Sequence, residues 1–441
     1  MAFTTLFVMG ADDSQDKPFG FCTLSSRTDA ASTYNVTGGG CYSYPVPADF
    51  SGKVIVLKSN GQDMKSTLES AIKQNDVIIL DGSEGDFIVS SNFGVNASNK
   101  TILGINNARL CTKWHVTDEI KKALDAAGVP KMSTSGGGGK LPNGTSVTEE
   151  AEYNTRKIII ELTGDNSESY RNSGLLSVSG KENIIIRNIT FIGPGSIDVS
   201  GKDLLSFTNG AKHCWIDHCE FIDGMDGNFD ITTKSDFNTV SWCIFRYTDR
   251  SYMHQNTNLI GSSDSEATGY LNTTFAFNWW GENCRARMPM ARVGKIHMLN
   301  NYYSCTGNST ACINPRKNSE FLVEGNYFEK GLKKVYAESG SVAVTWADDN
   351  IISESSVSKP SSKGSAVTVP YTYTVTAAGD VPALVQEKAG PTLFQTATGI
   401  ADVLKATDDT LARPIYNLRG QRVSANYKGI IIVNGKKILN R

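Results

Sequence analysis

The sequence predicts an all-β protein: a single-stranded parallel β-helix with a helical cap near its N-terminus and a small β module at its C-terminus. Three observations point there. Short β-rich segments recur with one shape at a period of about 24 residues. An amphipathic helix precedes the first strongly apolar strand, and the residue pattern changes near Leu393.

The recurring segments are IIIRNITF (184–191), WIDHCEF (215–221), TVSWCIF (239–245), TFAFNWW (274–280), HMLNNYY (297–303) and LVEGNYF (322–328). Aligned, they place Asn188, Cys219, Cys243, Asn278, Asn301 and Asn326 at one position, separated by 31, 24, 35, 23 and 25 residues. One such segment cannot bury its own apolar face, but stacked coils can, and stacked Asn side chains can hydrogen-bond from coil to coil. A sandwich would more often show Asn-Gly hairpin turns between its strands.

Upstream, DMKSTLESAIKQND (63–76) spaces Met64, Leu68 and Ile72 four apart, which predicts a helix covering the open end of the stack before the strand VIILDG. Residues 112–155 interrupt the repeat and read as a long excursion or flexible loop, with a possible helix at 118–128. The stretch 353–365 reads as a loop. The expected divisions are a signal remnant or disordered start at 1–30, the β-helix at 31–392 and the β tail at 393–441.

Composition narrows the function. The 441 residues hold 43 Lys plus Arg against 45 Asp plus Glu, a formal charge of -2, so no basic surplus suits nucleic acid or anionic lipid. The apolar start MAFTTLFVMG is too short to span a membrane. Nine cysteines cannot all pair and form no C-x-x-C element; Cys305 and Cys312 suit either a small disulfide loop or free thiols.

Two clusters carry chemistry. Asp203, Asp226 and Asp230 offer carboxylates of the kind calcium takes, although Asp and Gly are also common turn residues. RARMPMARVGKIH brings Arg285, Arg287 and Arg292 beside a repeat strand, and Arg285 and Arg287 share a face if the run is extended. Arginine forks match carboxylates. An acidic polymer in a lateral groove is the ligand such a surface suits, unless the arginines merely pair with neighbouring acids.

The motifs WIDHCEF, DGNFDI, NLIGSSD, RMPMARVGKIHMLNNYY and YTVTAAGDVPALVQEKAG resemble the pectate lyase superfamily of polysaccharide lyases over roughly residues 50–391. The resemblance implies a right-handed parallel β-helix that cleaves α-1,4-linked polygalacturonate by β-elimination with Ca2+, giving 4,5-unsaturated oligogalacturonides. By motif it makes Asp203, Asp226 and Asp230 the metal ligands, Arg287 the proton-abstracting base and Arg292 a binder of substrate carboxylate. Asn256 stands where many members have a substrate-binding lysine, and Gly201 where some have a further acid. An amide hydrogen-bonds a carboxylate but does not pair its charge. A guanidinium base, ordinarily charged below pH of about 12.5, implies an alkaline optimum. PIYNLRGQRV and VNGKKIL resemble C-terminal secretion-associated modules of exported enzymes, implying export, with surface attachment as one outcome and a β accessory module without a sorting role as the alternative; a monomer is expected. The competing readings are a pectin lyase on methyl-esterified chains, a hydrolase working through an acid pair, and a silent carbohydrate-binding β-helix. The absence of a GHG tripeptide weighs against the hydrolase.

Overall fold

Each repeat folds as one coil of three short strands, because its apolar residues face inward only when the coils stack. A computed structural model describes residues 16–164, 172–197, 200–308 and 310–394, together with the tail strands Ile415–Asn417, Arg422–Val423, Gly429–Val433 and Lys436–Asn440. Ile184–Arg187, Thr190–Ile192 and Leu205–Thr208 make one coil, and Trp215–Asp217, Glu220–Ile222 and Phe229–Ile231 the next. Corresponding strands join parallel sheets of ten, nine and eight strands, with registers such as Ile186 beside Ile216, Phe191 beside Phe221 and Ser206 beside Asp230. Parallel crossovers wind right-handed, and the architecture is the expected right-handed parallel β-helix.

The interior repeats with the coil. Phe191, Phe221, Phe245, Trp280, Tyr303 and Phe328 stack with ring centres 4.5 to 5.4 Å apart, close to the spacing of adjacent strands of about 4.8 Å. Asn278 Nδ2 donates to Asn301 Oδ1 (3.1 Å), Asn301 Nδ2 to Asn326 Oδ1 (2.9 Å) and Asn326 Nδ2 to Asn350 Oδ1 (2.9 Å). This is the predicted ladder, with Cys219 and Cys243 as its buried neighbours in the preceding coils.

Asn188 does not belong to it. The register sets Arg187 beside Asp217 and Thr190 beside Glu220, so Ile189, not Asn188, matches Cys219. Asn188 matches His218, Trp242, Phe277, Asn300 and Gly325, which all turn the corner before the ladder at φ of 48° to 63°. Asparagine suits both positions, since it tolerates left-handed backbone and its amide can pair between coils.

Helix α1 (Lys65–Gln74) buries Leu68, Ala71 and Ile72, with Met64 at its start, in the same core as Ile78 and Phe93. The excursion is a folded lobe rather than a flexible loop, and it runs past residue 155. Helix α2 (Asp118–Ala126) is capped by Thr117 Oγ1, which accepts from Ile120 N at 3.3 Å. A hairpin of Gly137–Lys140 and Ser146–Glu149 follows, then helix α3 (Glu150–Thr163). Val116, Ile120, Leu124, Val147, Ile159 and Met225 share a separate apolar cluster. Helix α4 (Val381–Lys388) lays Val381 and Val385 over Trp242, Phe277 and Tyr302.

The stretch Met1–Gly10 lies outside the described residues. Gly20–Thr23, inside the segment expected as a leader or disordered start, forms a 3-10 turn with Phe21 and Cys22 buried; Phe21 N donates to Thr274 Oγ1 at 3.0 Å. All nine cysteines are free and buried. The chain divides into units at Phe394/Gln395, and the second unit holds a four-stranded antiparallel sheet. Among the described residues no helix is long and apolar enough to cross a membrane.

Candidate active site

The eight-stranded sheet gathers the candidate residues, because successive coils bring chain segments far apart in sequence onto one face. Asp203 precedes Leu205–Thr208, Asp230 lies on Phe229–Ile231, Asn256 precedes Leu259–Ile260, and Arg287 and Arg292 flank Met290–Ala291. These strands are neighbours in that order. Asn256 also bridges Ala286 in the next coil.

The acids come together around Gly227. A Cβ built on that glycine would stand 2.7 Å from Asp203 Oδ1 and 3.4 Å from Asp230 Oδ1. Burial, then repulsion by Asp226, pushes the Asp203 carboxyl up to about 7. Burial and the neighbouring Asp203 drive Asp230, which is 9% exposed, well above the usual carboxylate range. Asp230 Oδ1 accepts from Leu259 N at 2.9 Å. Burial also opposes ionisation of Asp226, yet His254 beside it, with Arg287 and Lys202, holds its carboxyl below the ordinary value. Among the described residues no three His, Cys, Asp or Glu side chains form a ready metal cage. The arrangement is instead two crowded carboxylates and a third nearby, all feeling the charge of Arg287.

Gly201 explains why a fourth acid is missing. A Cβ there would meet Met225 Cγ and Sδ at 2.6 Å and Ser173 Oγ at 3.0 Å, so Met225 occupies the space a side chain would need.

Arg287 also lines a groove of about 470 Å³, together with Asn256, Arg292, Arg316, Lys334 and Glu338 among others. Four cations against one acid suit an anionic ligand. Arg285 is exposed and does not line the groove. The shared face expected for Arg285 and Arg287 is not formed, because Arg287 takes φ of 60° and the run is not a continuous strand. Thr257 Oγ1 and Asn258 N both donate to the Arg287 carbonyl, the latter at 2.7 Å, and fix that bend. Arg292 Nη1 donates to Gly261 O at 2.7 Å, and its Nε lies 3.1 Å from Asp264 Oδ1, an exposed partner that a ligand carboxylate could replace.

His254 is the site residue that sequence reading missed. Its Nε2 lies 3.0 Å from Asp226 Oδ1 and 2.9 Å from Asn256 Nδ2, joining the acids to the groove. The only local signal is its place two residues before Asn256. The other histidines of the repeat are bound internally: His218 Nδ1 to Asp217 at 2.7 Å, and His297 to Tyr371 and Glu324 at 2.6 and 3.0 Å.

Comparison with known proteins gives a consistent relationship. A family profile described as pectate lyase matches residues 97–390. A probable pectate lyase A of Aspergillus niger is 33% identical over 226 residues, which are 49% of this chain and 64% of that protein. The chain thus spans just under two thirds of that relative. A probable pectate lyase A of Aspergillus flavus is 31% identical over 260 residues, 56% of this chain and 75% of the relative. A pectate trisaccharide-lyase of a Thermotoga species is 38% identical over 152 residues, 32% and 39% of the two chains. Among solved structures, a pectate lyase from Bacillus sp. N165 in complex with trigalacturonate shares the fold, with a TM-score of 0.51 and 19% identity over 85% of this chain and 98% of that one.

Proposed function

This chain belongs to the pectate lyase family, and on that premise we propose that it is a calcium-dependent lyase cleaving α-1,4-linked polygalacturonate by β-elimination. The observation that carries the reading is that Arg287 lines a groove rich in cations while its charge acts on three carboxylates. An acid pair poised to activate water, as a hydrolase needs, is not what the groove presents.

The donor set fits a hard cation. Asp203 and Asp230 supply oxygen only, and each resists ionisation, first through burial and then through a neighbouring carboxylate, Asp226 for Asp203 and Asp203 for Asp230, a repulsion that a divalent ion would relieve. When bound by Asp203, Asp226 and Asp230, calcium supplies Lewis-acid withdrawal of charge from the uronate carboxylate, which acidifies the C5 proton. Arg292 exchanges the exposed Asp264 for a substrate carboxylate and holds the chain in register. Arg287, in its neutral form, accepts the C5 proton; the C5–H electron pair becomes the C4–C5 double bond and the C4 oxygen leaves, taking a proton from water. A guanidinium must be neutral to accept a proton, so activity is expected to rise at alkaline pH. The resemblance of the tail to secretion-associated modules supports export, with the enzyme acting as a monomer on polymer outside the cell.

The test is incubation with polygalacturonate at alkaline pH, with calcium or with chelator, following ultraviolet absorbance of the unsaturated uronide. Calcium-dependent absorbance supports the reading. New reducing ends without absorbance would make the protein a hydrolase, and binding without any product would make it a silent carbohydrate-binding β-helix.

A further inference from the structure

The lobe of helices α2 and α3 has a core of its own, and a residue of the acid-bearing coils stands in it. Met225, fully buried, packs with Ile120, Leu124 and Ile159 of the lobe, and the next residue in the chain is Asp226. The same side chain lies against Gly201, where a Cβ would meet Met225 Cγ and Sδ at 2.6 Å, and Asp203 follows two residues later. One unbranched thioether, a group suited to irregular gaps, thus touches the segments that carry two of the three acids. Tyr252 and Met253 pack on the same lobe cluster. The Ser196 hydroxyl lies 3.2 Å from the Met225 carbonyl and 2.6 Å from that of His254, joining those two segments. Among the described residues, none of α2 or α3 lines the groove. The lobe reaches the site only through this packing, and a close-packed interior transmits a displacement rather than absorbing it.

We infer that Met225 is a positioning residue for the carboxylate site: held in the lobe's core, it fixes segments 201–203 and 225–226 relative to each other, so that the lobe and a cation held by Asp203, Asp226 and Asp230 stabilise one another. The inference rests on the calcium reading above and adds to it a residue and a lobe outside the donor set. The coupling is reciprocal by linkage. Whatever factor a loosened lobe costs in calcium affinity, bound calcium returns as resistance of the lobe to opening.

Calcium binding to the full-length protein is measured by titration calorimetry without substrate, and lobe opening by hydrogen exchange of the wild type with and without calcium. Met225→Ala is expected to weaken calcium binding about tenfold or more, as loss of support behind metal ligands does. Met225→Leu, of similar volume, restores most of the affinity. Leu124→Ala changes only a side chain of the lobe's core and is expected to weaken calcium binding about fivefold or more. In the wild type, calcium slows exchange in α2 and α3 by a similar factor, and slows exchange in α4 less. The exchange measurement uses the wild type alone and decides the matter even where a variant does not fold. Calcium affinity unchanged in Met225→Ala or in Leu124→Ala, or lobe exchange that calcium slows no more than exchange in α4, overturns the inference and leaves the calcium site standing. A wild type that binds no calcium overturns the inference and the calcium assignment together.

Discussion

Asp203 and Asp230 both hold carboxylate oxygens beside Gly227, so close that a single Cβ there would stand 2.7 Å from one and 3.4 Å from the other. The glycine backbone there is not left-handed. Its need is for space, and Gly227→Ala tests the space between the acids alone. It is expected to weaken calcium binding about 10- to 100-fold, the usual cost of displacing metal-site support, as read by titration calorimetry. Unchanged affinity would mean that the two acids do not share a cation.

Another buried carboxylate sets a pH dependence of stability. Asp236 is buried, and loss of hydration raises its carboxyl to about 6, against the pull of the Asn272 amide and backbone and of Phe237 N. The folded state thus binds a proton that the unfolded chain releases near its ordinary value of about 3.9. Stability conferred by the protonated form is present below pH of about 4 and lost as pH rises towards 6. Its size is on the order of 2 to 3 kcal/mol. Asp236→Asn keeps the Oδ1 that accepts from Asn272 and Phe237. It is expected to flatten this part of the stability profile in urea unfolding; an unaltered slope would contradict the assignment.

The ladder predicts a stability hierarchy. Asn301 donates to Phe275 O and Asn326 Oδ1 and accepts from Asn278 N and Nδ2, all in the buried interior. Asn301→Ala leaves several of these groups unpaired and is expected to cost about 2 to 4 kcal/mol, at about 1 to 3 for each group left unsatisfied. Denaturant midpoints check this, with the exposed Asn96→Ala as the comparison, where a cost below about 0.5 kcal/mol is expected.

Much of the fold was legible because a coil repeats its chemistry. Asn278, Asn301 and Asn326 announce one position by identity alone, whereas Asn188 misleads because corner and ladder positions accept the same side chain. Helix α3 was hidden: Ile158, Ile159 and Ile160 form a β-branched run that reads as strand, and only packing against Ile120, Leu124 and Met225 makes it helical. The candidate acids and arginines were readable by motif. The bend at Arg287 and the bond between His254 and Asp226, 28 residues apart, depend on which coil lies above which, and local sequence does not carry that.

Whether Arg287 takes the C5 proton is decided by steady-state kinetics of Arg287→Lys on polygalacturonate with saturating calcium. Loss of the proton acceptor is expected to lower kcat by about 10²- to 10⁴-fold with KM little changed. A variant that kept its kcat and showed only a raised KM would contradict the claim and leave Arg287 a substrate-binding residue.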